Sequence, residues 1–227
     1  MESEGPAAVA ARLDADIDAL PVKKTAAFRT VRRRYSRELA DAEPALILAL
    51  AHELIDNYRR RWIAYELVRE HDATFQQLNR EQLEALGEGI HSWSTVDSFG
   101  RTLSGPAWLA GNISDDVIRT WAHSDDLWWR RAALVSTVAL NTRSRGGYGD
   151  VERTLAVCRL LVDDHEDIVV KALSWALRAL SVHEPDAVWT FLGEHEDELA
   201  ARVKREVRNK LTTGLKNPRK NPRKKAA

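Results

Sequence analysis

Within the stretch HSWSTVDSFG (91–100), Trp93 and Asp97 stand four residues apart in a segment poor in aliphatic side chains. On a helix that spacing puts an indole and a carboxylate on one face, one above the other. A fixed carboxylate beside an aromatic wall is a combination that electrostatic catalysis can use, although alone the pair justifies only a surface or capping role. Three cations, Arg61, Arg131 and Lys171, occupy comparable places in helices described below, with Arg130 beside the second. Cations in register along a stack of helices form a stripe that can follow a phosphate backbone. For any one of them, solvation or pairing with a neighbouring acid remains the alternative.

Eight tryptophans are many for 227 residues. Trp175 lies one turn beyond Lys171 in KALSWALRAL and shares its face, so the two point the same way. Trp128, Trp129 and Trp189 read instead as core or partly buried anchors. The seven histidines are scattered, none in an HExxH arrangement, and the single cysteine, Cys158, has no companion thiol. No metal site is expected. The acidic run EHEDE at 194–198 reads as a solvated helix end. There is no G-x-S-x-G, Walker loop or GxGxxG, and the GGYG at 146–149 is a turn, so hydrolase triads, nucleotide hydrolysis and dinucleotide redox chemistry lack support.

The elements that must carry these residues are helical. From residue 43 onward apolar residues recur at three and four, as in PALILALAHELID, WIAYELV, WWRRAALVSTVAL, DVERTLAVCRLLV and DIVVKALSWALRAL. Acids or proline mark the starts at AEPAL, SDDV and EPDAV, and Asp150 is placed to cap VERTLAV after the loop RSRGGYGD. DDLWWRRAALVSTVAL (125–140) aligns with HEDIVVKALSWALRAL (165–180) at an offset of forty residues, and DNYRRRWIAYELV (56–68) has the same layout. A period of ~40 residues predicts an all-α curved solenoid of HEAT-like antiparallel helix pairs, with a concave binding face. The first interval, 69 residues, is irregular, and Trp93 and Asp97 fall inside it.

Composition agrees with a soluble globular protein: 44% hydrophobic and 30% charged residues, without a secretory leader or a long apolar run. One unpaired cysteine suits a reducing cytoplasm. The net charge of zero conceals basic stretches at 23–37 and 58–61 and acidic ones at 163–167 and 194–198, which predicts one surface turned to a polyanion. Residues 1–213 read as one repeat domain, and 214–227, which repeat KNPRK, as a disordered basic tail.

WSTVD at 93–97, RRAALV at 130–135 and KALSWALRAL at 171–180 resemble the corresponding helices of the AlkD-type DNA alkylation repair glycosylases, which are built from HEAT-like repeats. The likeness runs in order from about residue 20 to about residue 210. It implies a monofunctional alkylpurine glycosylase without cofactor or metal, acting as a monomer on double-stranded DNA with alkylated bases, in the cytoplasm and at the bacterial nucleoid when on DNA. Trp93, Asp97 and Trp175 would surround the lesion's deoxyribose, Arg131 would grip a phosphate beside it, and Arg130, Lys171 and Arg61 would hold the backbone. The family clamps duplex DNA without drawing the base into a pocket, which would admit bulky adducts. Ser94 departs from the family, where an acid is common at that place. A non-catalytic binder of branched or distorted DNA and a protein-binding scaffold are the alternatives.

Overall fold

A computed structural model describes residues 4–218, and all regular structure among them is helical. The chain divides into two compact units, Met1–Val117 and Ile118–Ala227. Of the expected basic tail, residues 214–218 follow the last helix without regular structure, and 219–227 lie outside the described residues.

The first unit begins with two helices where the sequence displays chiefly charge: α1 (Pro6–Asp18) and α2 (Thr25–Glu38). Proline at the start of α1 sacrifices no hydrogen bond, because the first N–H groups of a helix have no intrahelical partner. Val9, Ala10, Leu13 and Ile17 then recur at helical spacing and are buried. Next come α3 (Pro44–Asp56), α4 (Arg61–Glu70), α5 (Asp72–Gln77) and α6 (Arg80–Gly87). Here α4 is the central element, packed by α2, α3, α5 and a later helix, α7 (Trp93–Phe99). It is therefore buried continuously from Ile63 to Val68.

That continuity buries a carboxylate, Glu66. The charge is tolerated because Arg29 Nε and Arg32 Nε of α2 each donate to it at 3.0 Å. An isolated buried carboxylate would lose several kcal/mol of solvation, on the order that two guanidiniums can restore. The basic stretch 23–37 is thus partly spent inside the unit: Arg34 also pairs with Asp16, and Arg32 is itself buried. It does not form the continuous cationic surface that charge counting suggests.

After α7 the helix continues without a break through a π-helical turn, Gly100–Ser104, into α8 (Gly105–Leu109). Pro106 supplies the reason for the wider turn. It has no N–H to donate and its ring crowds the carbonyl a turn earlier, and an i→i−5 step from Gly105 N–H to the Gly100 carbonyl relaxes both constraints. A further helix, α9 (Asp115–Ala122), begins where Asp115 accepts the Trp108 indole N–H at 2.7 Å.

The second unit contains α10 (Leu127–Leu140), α11 (Val151–Leu160), α12 (Asp167–Leu180), α13 (Pro185–Glu194) and α14 (Ala201–Thr213). α12 packs against α10, α11 and α14, and α10 is buried from Arg131 to Leu140. The loop between α10 and α11 is pinned by Asn141, whose Nδ2 donates to the Thr137 carbonyl at 2.9 Å and whose Oδ1 accepts the Asp150 N–H at 3.0 Å. Asp150 caps α11 as expected, accepting the Arg153 N–H at 3.0 Å. Among the described residues no helix is long and apolar enough to cross a membrane, and no cluster of side chains could hold a metal ion.

Candidate nucleic-acid interface

The start of α7 is set by a reciprocal pair of hydrogen bonds. Ser92 Oγ accepts the Thr95 N–H at 3.3 Å, and Thr95 Oγ1 accepts the Ser92 N–H at 3.2 Å. This capping box makes Trp93 the first helical residue. Val96 and Phe99 point into the core, with Phe99 edge-on to Tyr65 of α4 at 5.6 Å. Trp93 and Asp97 fall on the other side, the indole 67% exposed and the carboxylate half-buried. The exposed indole therefore stands one helical turn before the Asp97 carboxylate on the face turned away from the core.

Arg61 opens α4 beside that helix. Its Nη1 donates to the Leu86 carbonyl at 3.3 Å and to the Tyr65 hydroxyl at 3.4 Å. The loop after α6 bends around the guanidinium at Gly89, whose φ of 71° favours glycine and where an added Cβ would sit 3.0 Å from Arg61 Nη2. Arg61 lines a cavity of about 540 Å³ together with Arg59, Trp62, His91, Ser94 and Ser98. The first unit therefore brings Arg61 of α4 to one cavity with Ser94 and Ser98 of α7, whereas Trp93 and Asp97 of the same helix are not among the residues that line it. Arg59, His91 and Ser98 were not legible as site residues in the sequence. Arg59 lies in the YRRR run, but nothing there separates it from Arg60, which is consumed by Asp14 and Asp18.

In the second unit, Arg131, Lys171 and Trp175 lie on the packed pair α10 and α12. Arg131 is only 5% exposed, and its Nη1 donates to the Ile168 carbonyl at 2.5 Å, about one turn before Lys171 and two before Trp175. Arg130 binds Asp164 at 2.8 Å and the carbonyls of Ser124 and Asp125, both at 2.9 Å. Lys171 is an exposed cation held by Asp167 at 2.6 Å, and Asp167 also receives Arg202 at 2.8 Å. These contacts hold the Asp167 carboxyl below its usual range, through the Lys171 hydrogen bond first. Trp175, half-buried, shares the Lys171 side of α12.

The other tryptophans divide. Trp129 packs against Trp121 with ring centroids 4.9 Å apart, as an anchor should. Trp189, expected as a core or partly buried anchor, is the partly buried kind, 41% exposed. The acidic end at 194–198 is engaged by α14: Glu196 takes Lys204 and Arg208, and His195 pairs with Glu198 at 2.5 Å.

A family model described as a DNA alkylation repair enzyme matches residues 20–211, most of the chain. No curated protein matches it.

Proposed function

We infer that this chain, which belongs to the DNA alkylation repair enzyme family, is a monofunctional glycosylase that hydrolyses the N-glycosidic bond of cationic alkylated purines in duplex DNA. Membership carries the broader statement by itself: an enzyme of DNA repair with DNA as its partner. The observation that carries the finer one is the half-buried Asp97 carboxylate one turn from the exposed Trp93 indole, on a helix whose start is fixed by Ser92.

The chemistry suits those two groups. A purine alkylated on a ring nitrogen, as in 3-methyladenine or 7-methylguanine, carries a positive charge and leaves without a general acid. As the bond breaks, its electron pair passes to the purine nitrogen and neutralises it, and positive charge develops on the deoxyribose. Asp97 supplies the counter-charge and orients the water whose oxygen bonds to the anomeric carbon; the water's proton passes to solvent. Opposite unit charges about 4 Å apart attract by about 4 kcal/mol at an effective dielectric of about 20, worth roughly 10³-fold in rate. Trp93 and Trp175 are the indole walls of the sugar, favouring its cationic form. The lesion stays at the groove surface with no pocket receiving the base, which admits bulkier adducts.

Arg131, Arg130, Lys171 and Arg61 are assigned the backbone phosphates. Lys171 can exchange Asp167 for a phosphate readily, since an exposed ion pair contributes only about 0–1 kcal/mol. Within this reading one chain, folded as a repeat domain of HEAT-like pairs, suffices as a monomer in the cytoplasm. A non-catalytic binder of distorted DNA is the second reading, and the engagement of Arg130 and Arg131 inside their own unit bears equally on both.

Purified protein incubated with randomly methylated duplex DNA separates the two. The glycosylase reading expects free 3-methyladenine or 7-methylguanine and an uncut backbone. Absence of released base together with tight binding of branched junctions establishes the second reading instead.

A further inference from the structure

The cavity beside α7 lies on a different face of that helix from Trp93 and Asp97. Ser94 and Ser98 line it, and helical spacing turns them about 100° from the Trp93 and Asp97 positions. Its opposite wall holds Arg59 and Arg61. Arg61 is fixed from behind by the Leu86 carbonyl, and Trp62 is backed by Phe28 and Arg29, with ring centroids 6.1 Å apart in the first case and the guanidinium 6.0 Å from the indole in the second. His91 closes the rim, its Nδ1 at 2.7 Å from the Gly89 carbonyl, which leaves Nε2 unused by that contact.

Arg59 is the informative member. Its φ is 55°, in the left-handed region, and it is the one non-glycine residue so placed among those described. The turn is closed by the Arg60 N–H on the Leu54 carbonyl at 2.7 Å, and glycine is the usual residue at a left-handed position such as that of Arg59. An arginine there accepts a conformational cost that glycine avoids. Yet among the described residues Arg59 makes no ion pair, although Arg60 next to it makes two. A strained guanidinium that lines a cavity and makes no ion pair among the described residues is placed to receive an anion.

We propose that this cavity is a phosphodiester subsite, which takes one backbone phosphate of the bound strand between Arg59 and Arg61 and sets its deoxyribose against Trp62. The proposal rests on the DNA-repair reading above. Charge and size both select that ligand. Asp56 also lines the cavity, so two guanidiniums stand against one carboxylate, an excess of a single positive charge between these three groups. That matches a phosphodiester monoanion better than a phosphomonoester or polyphosphate. A cavity of about 540 Å³ is also far larger than phosphate alone requires and has room for the attached sugar.

Arg59→Gly tests this without risk to the fold, because glycine relaxes the left-handed residue. Binding of an undamaged duplex is measured by anisotropy across a salt series, for wild type and R59G, alongside base release by wild type. Loss of one phosphate contact lowers the slope of log Kd against log salt by about one and weakens binding at every salt below physiological strength. Ser98→Phe, which fills the cavity and leaves both arginines, weakens binding as well. Identical salt slopes for wild type and R59G overturn the subsite, whatever the outcome for base release. A reduced slope with no base release sustains the subsite and removes the glycosylase reading. Displacement of the duplex by millimolar inorganic phosphate or a free deoxynucleotide, beyond that caused by chloride of equal ionic strength, would mark a free-phosphate site and also overturn the proposal.

Discussion

Asp97 and Trp93 owe their common face to the Ser92 hydroxyl, which ends the preceding loop and starts the helix. At this scale the sequence was informative about identity and spacing and silent about commitment. The four-residue interval of Trp93 and Asp97 is visible in the chain, whereas the burial of Arg131 against Ile168 and the solvent face of Trp189 depend on partners 37 residues away or on neighbouring helices. Cys158, within the apolar run of α11, is buried, and burial pushes its thiol far above the ordinary range because the thiolate cannot be solvated. The expected consequence is that a disulfide reagent leaves native protein unmodified at pH 8 and reacts with one thiol per chain in denaturant. Rapid modification of the native protein would contradict that placement.

At the scale of elements, the period of three and four from residue 43 onward identified the long helices, because each buries one stripe against its neighbours. It missed α1 and α2, whose apolar residues are diluted by arginines and acids that pair across helices, as Arg32 does with Glu66. The π-helical turn was equally missed: Pro106 marks a disturbance in the helix, but a proline alone does not tell a break from a one-residue widening. The loop after α10 can be tested directly. Gly147 passes so close to the end of α10 that an added Cβ would lie 2.2 Å from the Ala139 carbonyl oxygen and 2.3 Å from the Leu140 carbonyl carbon. Gly147→Ala is expected to destabilise the protein by about 1–3 kcal/mol through overpacking, with a fall of about 2–4 °C in Tm for each kcal/mol. An unchanged Tm would mean that the loop does not pack there.

For the molecule as a whole, zero net charge is compatible with DNA as partner only because charge is distributed unevenly. The structure shows how much of it is spent internally: α2 on Glu66 and Asp16, and α14 on Glu196 and Asp167. The cations that remain near the proposed site are few, and the segment 214–227 adds six Lys and Arg with no acid. A chain ending at Thr213 is therefore expected to bind undamaged duplex more weakly, with a shallower salt dependence, and to release base at the same rate once saturated. A saturated rate that falls with the tail would place those residues in the chemistry. The central claim rests on Asp97 as the counter-charge to the breaking sugar. It is tested most directly by single-turnover release of 7-methylguanine from a duplex by wild type and Asp97→Asn at saturating protein. The expected result is a loss on the order of 10³-fold with duplex affinity nearly unchanged; equal rates for the two proteins would remove Asp97 from the chemistry.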